Sequence, residues 1–264
     1  MPRFQFNTAE AGVNQSNREP GEGKRVLITG AARRVGAEVA RHLHAAGMDI
    51  VIHYRNSRAE AEALAESLNA VRADSAGLVS GDLLDIPSLP RLAEAARQVF
   101  GTIDVLINNA STFYPTPVGG ITEKHWDDLL GSNLKAPLFL SQAMAPELKA
   151  RRGCIVNIVD IHAIRPLKGY PVYSVAKAGL WMLTQSLARE LGPDVRVNGI
   201  APGAILWPEA EENSTPHQEM IERTALKREG SPEAIARTAL FLIRDADYIT
   251  GQIIPVDGGR TVGQ

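Results

Sequence analysis

The 264-residue chain carries 28 Lys and Arg against 30 Asp and Glu, a formal net charge of -2, with 44% hydrophobic and 22% charged residues. Those are ordinary values for a globular domain with a sizeable core, and the near-neutral charge argues for neither nucleic acid nor an anionic membrane as partner. One cysteine, Cys154, excludes an internal disulfide, and no apolar run approaches a membrane span.

Residues 1–23 are polar and aperiodic and read as a loose tail without an apolar signal stretch, so a cytoplasmic setting is expected. From 24 to 264 the pattern is regular and reads as one domain. Strands are expected at Arg25–Thr29, Ile50–Tyr54, Ala76–Ser80, Asp104–Asn108, Cys154–Val159, Val195–Ile200 and Gln252–Val256. Between them fall helices over 35–46, from a Ser57 cap to about Ala70, Pro87 to Phe100, 122–132, 134–150, 172–191 and 231–243. Strands that alternate with helices, and that are apolar without strict alternation, indicate a doubly wound α/β fold with a parallel sheet covered on both faces. The segment 202–230 is the one long irregular stretch, and its portion from about 204 reads as a substrate flap. Cys154, beside an apolar run and far from any histidine in sequence, reads as a packed thiol.

Tyr173 and Lys177 stand i and i+4 on the 172–191 helix, so they are neighbours on one face. An ammonium beside a phenol lowers the phenol's pKa and readies it for proton transfer. Asp160 stands thirteen residues earlier, at the end of an apolar strand, where a partly buried carboxyl with a raised pKa would relay a proton.

In a sheet of this type, ligands bind beyond the carboxyl ends of the strands. The first strand leads into Gly30-Ala31-Ala32-Arg33-Arg34-Val35-Gly36, a strand-to-helix turn suited to a phosphate. The second ends in His53-Tyr54-Arg55-Asn56-Ser57, without the carboxylate that usually grips an NAD ribose. Arg55, the Ser57 hydroxyl and Arg34 suit a 2′-phosphate, which points to NADP; His53 and Tyr54 are counted beside them at the cofactor, His53 with a chiefly structural part. The third ends at Gly81-Asp82-Leu83, with Asp82 placed to accept from an adenine amino group. The fourth ends in Asn108-Asn109-Ala110-Ser111, small residues that let a ligand approach the backbone.

Taken in order, the Thr29–Gly36 turn, Asp82, Asn108-Asn109-Ala110, Asn133, Tyr173 with Lys177, Pro202-Gly203 and Val256-Asp257-Gly258-Gly259 resemble the short-chain dehydrogenase/reductase family over residues 24–259. The resemblance implies a nicotinamide cofactor contacted by these motifs, with Lys177 on the nicotinamide ribose and Asn133 positioning that lysine through a water. Two departures narrow it. Arg34 stands where the family usually has a glycine, and Asp160 where it usually has a catalytic serine. With Ser111-Thr112-Phe113-Tyr114-Pro115-Thr116-Pro117 and His53-Tyr54-Arg55, these departures resemble the pteridine reductases.

That resemblance implies NADPH-dependent reduction of a pterin or folate. Phe113 would stack on the ring, Ser111 would bond the amino edge, and Arg34 would reach both a cofactor phosphate and the pterin. Leu206 and Trp207, with backbone at Pro202-Gly203, would close over the substrate. A homotetramer is implied as well, and no metal is expected. Two other readings stay open: a carbonyl reductase acting on 3-oxoacyl thioesters, disfavoured by Asp160 and Phe113, and a non-catalytic NADP-binding sensor.

Overall fold

The structure is a computed structural model that describes residues 23–205 and 215–262. Seven strands form one parallel sheet: β1 (Arg25–Ile28), β2 (Asp49–Tyr54), β3 (Ala76–Ser80), β4 (Val105–Asn108), β5 (Cys154–Ile158), β6 (Arg196–Pro202) and β7 (Ile253–Val256). Their spatial order is β3-β2-β1-β4-β5-β6-β7, so the winding reverses between β1 and β4. A Rossmann-like α/β fold results, and the reversal opens a crevice at the carboxyl ends of those two strands.

The helices are α1 (Arg34–Ala45), α2 (Arg58–Val71), α3 (Leu89–Phe100), α4 (Glu123–Leu130), α5 (Ala136–Ala150), α6 (Pro171–Leu191), α7 (Thr215–Glu222) and α8 (Pro232–Arg244). Side-chain alternation along the strands assigns each residue to a layer. Val26 and Ile28 of β1 join Ile50 and Ile52 of β2 in a core with Leu43 of α1, Leu64 of α2 and Leu242 of α8. Leu27 and Val51 point the other way, into a core with Leu92 of α3, Leu140 of α5 and Leu191 of α6. Both faces are therefore buried, which is why the strands read as continuous apolar runs. Each fully buried Leu or Ile contributes roughly 2 kcal/mol. Cys154 is buried in the first of these cores, and burial pushes its thiol up in pKa, as suits a packed group.

Local chemistry sets the helix limits. Pro171 begins α6, where its fixed φ suits the first turn. Gly101 ends α3 in the left-handed conformation (φ 80°). Ser57 occupies the N-cap of α2 as expected, yet its hydroxyl makes no capping bond and faces the crevice instead.

Two stretches differ from the sequence reading. The helices expected over 122–132 and 134–150 are joined by a π-helical turn, Gly131–Lys135. A Cβ on Gly131 would meet the Leu84 side chain at 2.6 Å, so the missing side chain lets the helix pass. The wider turn leaves Asn133 facing inward, a common use of π-turns at functional sites. The 202–230 segment is not wholly irregular either. β6 continues through Pro202 and α7 forms at Thr215–Glu222, a helix too short for its period to stand out.

Candidate active site

The carboxyl ends of β1, β2, β4, β5 and β6 open into one cavity of about 1080 Å³, enough for a dinucleotide and a second small molecule. Its β1 side is built from backbone. Gly30 has φ +61°, and a Cβ there would lie 3.0 Å from the Ala110 Cα. A Cβ on Gly36 would lie 2.5 Å from Nδ2 of Asn109. Thr29 Oγ1 accepts from the N–H groups of Asn109 (2.9 Å) and Ala110 (3.0 Å), and Asn109 Nδ2 donates to the Thr29 and Gly30 carbonyls at 2.8 and 3.1 Å. The β1 and β4 ends are thus locked together.

His53 locks the turn to β2. The Gly30 N–H donates to its Nδ1 at 3.2 Å, so Nδ1 carries no proton and Nε2–H donates to the Gly81 carbonyl, also at 3.2 Å. Burial lowers its pKa to about 4, against smaller opposing effects of the Gly81 carbonyl and Asp82. Both ring nitrogens are spent inside the protein, so His53 shapes the turn and leaves neither nitrogen for the cofactor contact expected of it.

Arg34 holds φ +54°, a conformation that costs a side-chain-bearing residue about 1 kcal/mol or more. The chain keeps the glycine-like backbone there and places an exposed guanidinium on the cavity wall. Arg33 lines the wall too and reaches Glu60 at 3.4 Å. Beyond β2, Tyr54, Arg55 and Ser57 line the same end, with Leu83 and Asp82 across from them. Arg55 and Asp82 lie 3.7 Å apart, both about half-exposed, and Asp82 Oδ1 accepts from Leu84 N–H at 3.0 Å. A nicotinamide dinucleotide fits this end: two glycines leave space that a Cβ would fill, and cations and a hydroxyl lie beyond it.

The catalytic candidates converge from β5 and α6. The Tyr173 hydroxyl donates to Asp160 Oδ2 at 2.7 Å, and Asp160 Oδ1 accepts the His162 N–H at 2.8 Å. Lys177, 2% exposed, donates from Nζ to the Ile158 carbonyl at 2.9 Å and lies 5.7 Å from the Tyr173 ring centre. Burial lowers the Lys177 pKa to about 8, while the Asp160 carboxylate opposes that shift. Tyr173 moves the other way from the sequence expectation. Burial first and the Asp160 charge second push it well above 10, against a smaller opposing hydrogen bond with Ser111, so the phenol keeps its proton.

Behind these groups a buried chain of hydrogen bonds sets the strand ends. Asn108 Nδ2 donates to Asn157 Oδ1 (2.8 Å), Asn157 Nδ2 to Thr184 Oγ1 (2.9 Å), and Thr184 Oγ1 to the Leu180 carbonyl (2.8 Å). Asn133 does not line the cavity. Its Nδ2 donates to the Thr112 and Leu129 carbonyls (2.9 and 3.0 Å), and its Oδ1 accepts the Ser111 hydroxyl at 2.7 Å. It clamps the loop after β4, a role the expected water bridge to Lys177 did not include.

Phe113, on that loop, is 54% exposed and is no core aromatic. It stacks on Tyr170 (centroids 4.6 Å apart, 10° between planes) and meets Tyr173 edge-on at 4.8 Å. Tyr170 was missed in the sequence; its place just before Pro171, at the start of α6, was the available signal. His162, Glu219, Arg223 and Arg260 also line the cavity unforeseen. Pro202 and Gly203 lie on its wall, and a Cβ on Gly203 would come 2.7 Å from the Asp257 Cα. The expected contacts of Leu206 and Trp207 lie outside the described residues, as does the tail up to residue 22.

A crevice at the switch point of a parallel sheet, with a Tyr–Lys pair and an adjoining acid, defines a nicotinamide-dependent oxidoreductase. The comparisons agree. A family model described as enoyl-(acyl carrier protein) reductase matches residues 30–261, and the chain belongs to this short-chain dehydrogenase/reductase family. It is 37% identical to pteridine reductase 1 of Leishmania tarentolae, over 89% of this chain and 96% of that one. It is 34% identical to a 3-oxoacyl-(acyl-carrier-protein) reductase of Staphylococcus epidermidis, over 89% and 98%. An uncharacterized oxidoreductase of Methylorubrum extorquens is 32% identical over 90% and 98%. Among the described residues no helix is long and apolar enough to cross a membrane.

Proposed function

We propose that this chain is an NADPH-dependent reductase of pterins, reducing a C=N bond of biopterin, dihydrobiopterin, dihydromonapterin or dihydrofolate. The observation that carries the reading is the Tyr173–Asp160 hydrogen bond at 2.7 Å beside the exposed Phe113 ring. A ketone reductase needs one hydroxyl donor to an oxygen, whereas a C=N bond needs a proton at nitrogen and a site that can resupply it. A phenol held protonated against a carboxylate does both. Similarity to a pteridine reductase supports the reading.

The bound nicotinamide supplies the hydride. Phe113, backed by Tyr170, offers a flat face to a heteroaromatic ring. Ser111 and Arg34 present polar groups to its edge. Tyr173 gives its proton to the nitrogen that gains the bond and takes another through Asp160, which the His162 N–H holds in place. Lys177, charged below pH about 8, lines the cavity where it would hold a ribose hydroxyl of the bound cofactor, and it favours the phenolate formed transiently. Arg34, Arg55 and the uncapped Ser57 hydroxyl favour a 2′-phosphate, hence NADPH over NADH. The working form is taken to be a cytoplasmic homotetramer assembled through α5 and α6, where Val175 and Met182 are 51% and 60% exposed.

The test is loss of NADPH absorbance with each pterin and with dihydrofolate, beside a 3-oxoacyl thioester and a simple ketone. Pterin-dependent turnover that drops about a hundredfold in Asp160→Ala supports the reading. Turnover of only the thioester or ketone would make the chain a carbonyl reductase, as similarity to the staphylococcal enzyme allows. Cofactor binding without any turnover would leave the sensor.

A further inference from the structure

On the side of the cavity away from β2, Arg223 and Arg260 line the wall together with Glu219. Arg260 is half-buried and Arg223 exposed. Among the described residues neither guanidinium has an ion pair or a side-chain hydrogen bond. The backbone holds them close. Leu226 N–H donates to the Gly258 carbonyl at 3.0 Å, and a Cβ on Gly259 would lie 2.7 Å from that of Ala225. Asp257, the nearest carboxylate in sequence, is already spent on the N–H groups of Gly259 (2.9 Å) and Thr261 (2.8 Å), which close the turn carrying Arg260. Burial first and the Arg223 charge second pull the Arg260 pKa down, against Asp160 and Asp257.

Two like charges held on one wall raise each other's cost, and an anion bound between them relieves it. Guanidinium groups suit carboxylate and phosphate because their planar forks donate in pairs. The Glu219 carboxylate shares the rim, so an anion has to reach past it. This position is separate from Arg34 and Arg55, which stand at the β1–β2 end. We propose that Arg223 and Arg260 form a subsite for an anionic tail, carboxylate or phosphate, carried on the side chain of the pterin substrate. The proposal rests on the pterin reading above and narrows it, because it favours substrates with charged tails over those with neutral ones.

The test compares three substrates on the same preparation: dihydrobiopterin, with a neutral side chain; dihydrofolate, with carboxylates; and a dihydroneopterin phosphate ester. The double variant Arg223→Gln/Arg260→Gln is expected to lower the ratio of kcat/KM for a charged substrate to that for dihydrobiopterin at least tenfold. That equals about 1.4 kcal/mol. The loss should appear mainly in KM, since the tail is bound equally in ground and transition states. Arg223→Lys/Arg260→Lys should recover only part of the ratio, since the charge returns without the paired donors, and added salt should erode it in the wild type. Loss confined to dihydrofolate assigns a carboxylate tail, and loss confined to the ester assigns phosphate. Because a poorly folded fraction lowers both rates alike, the ratio reports only on folded enzyme. Ratios within twofold of wild type for both charged substrates, with dihydrobiopterin still reduced, overturn the subsite alone. A wild-type chain that reduces no pterin overturns the pterin reading and the subsite with it.

Discussion

At the β1–β2 end of the cavity, the backbone of Thr29, Gly30 and Ala110 is pinned at 2.8–3.2 Å by the side chains of Thr29, His53 and Asn109. Elsewhere on the wall, Phe113 stacks on Tyr170, and Arg223 and Arg260 line the same cavity as side chains from other segments. The first kind of wall is shaped before any ligand arrives and suits a ligand shared by many relatives. The second changes with each residue, and it is where relatives with different printed activities can differ while keeping one fold.

The largest break in this contrast is expected where the two ends meet. Tyr173→Phe removes the transferable proton but keeps the ring and its edge contact with Phe113. We expect kcat to fall about a thousandfold, with NADPH affinity, followed by nucleotide fluorescence, changed less than threefold. An equal loss of cofactor affinity would mean the hydroxyl serves binding instead.

Next in size is the alkaline limb of the rate. Lys177 is charged below its pKa of about 8 and neutral above it. The kcat/KM profile should therefore decline as pH rises through about 8, roughly tenfold per unit at the steepest. In Lys177→Met the rate should be low throughout and the limb absent. A limb that persists in that variant assigns it to another group.

The backbone-built end should respond to acid. The folded-state pKa of His53 is about 4, against 6.5 when unfolded, so between these values the unfolded chain binds the extra proton. Stability is then full above pH 6.5 and is lost as pH falls toward 4, by on the order of 3 kcal/mol. Urea denaturation across that range should show the slope, and His53→Gln should flatten it. An unchanged slope in the variant would place the acid sensitivity elsewhere.

The smallest effect sharpens the comparison most. Arg34→Gly relieves a left-handed backbone (φ +54°) and removes a cavity guanidinium. We expect stability to rise by up to about 1 kcal/mol while kcat/KM with NADPH falls. A variant that loses both stability and activity would show that Arg34 supports the fold rather than the site.

What was legible in the sequence followed from local rules. Apolar runs of strand length, separated by helix-period segments, specified β1–β7 within a residue or two at most ends. The spacing of Tyr173 and Lys177 placed both on one helix face, and the glycines at 30 and 36 marked the turn. These features depend on period and backbone geometry, which a linear sequence carries. The π-helical turn at Gly131–Lys135 did not appear, because the apolar period runs on across it and a Cβ on Gly131 would meet Leu84, forty-seven residues away. The direction of the Tyr173 pKa was misread for the same reason. Spacing shows the nearby lysine, whereas burial and the Asp160 carboxylate, which dominate, exist only once β5 and α6 pack. Arg223 and Arg260 reach the cavity through segments that carry no local pattern. The sequence by itself determined the sheet, the glycine-bearing turn after β1 and the shared helix face of Tyr173 and Lys177, because each rests on neighbours in the chain. Only the tertiary structure decided which proton the tyrosine keeps and which charges border the substrate end, because both depend on groups brought together from distant segments.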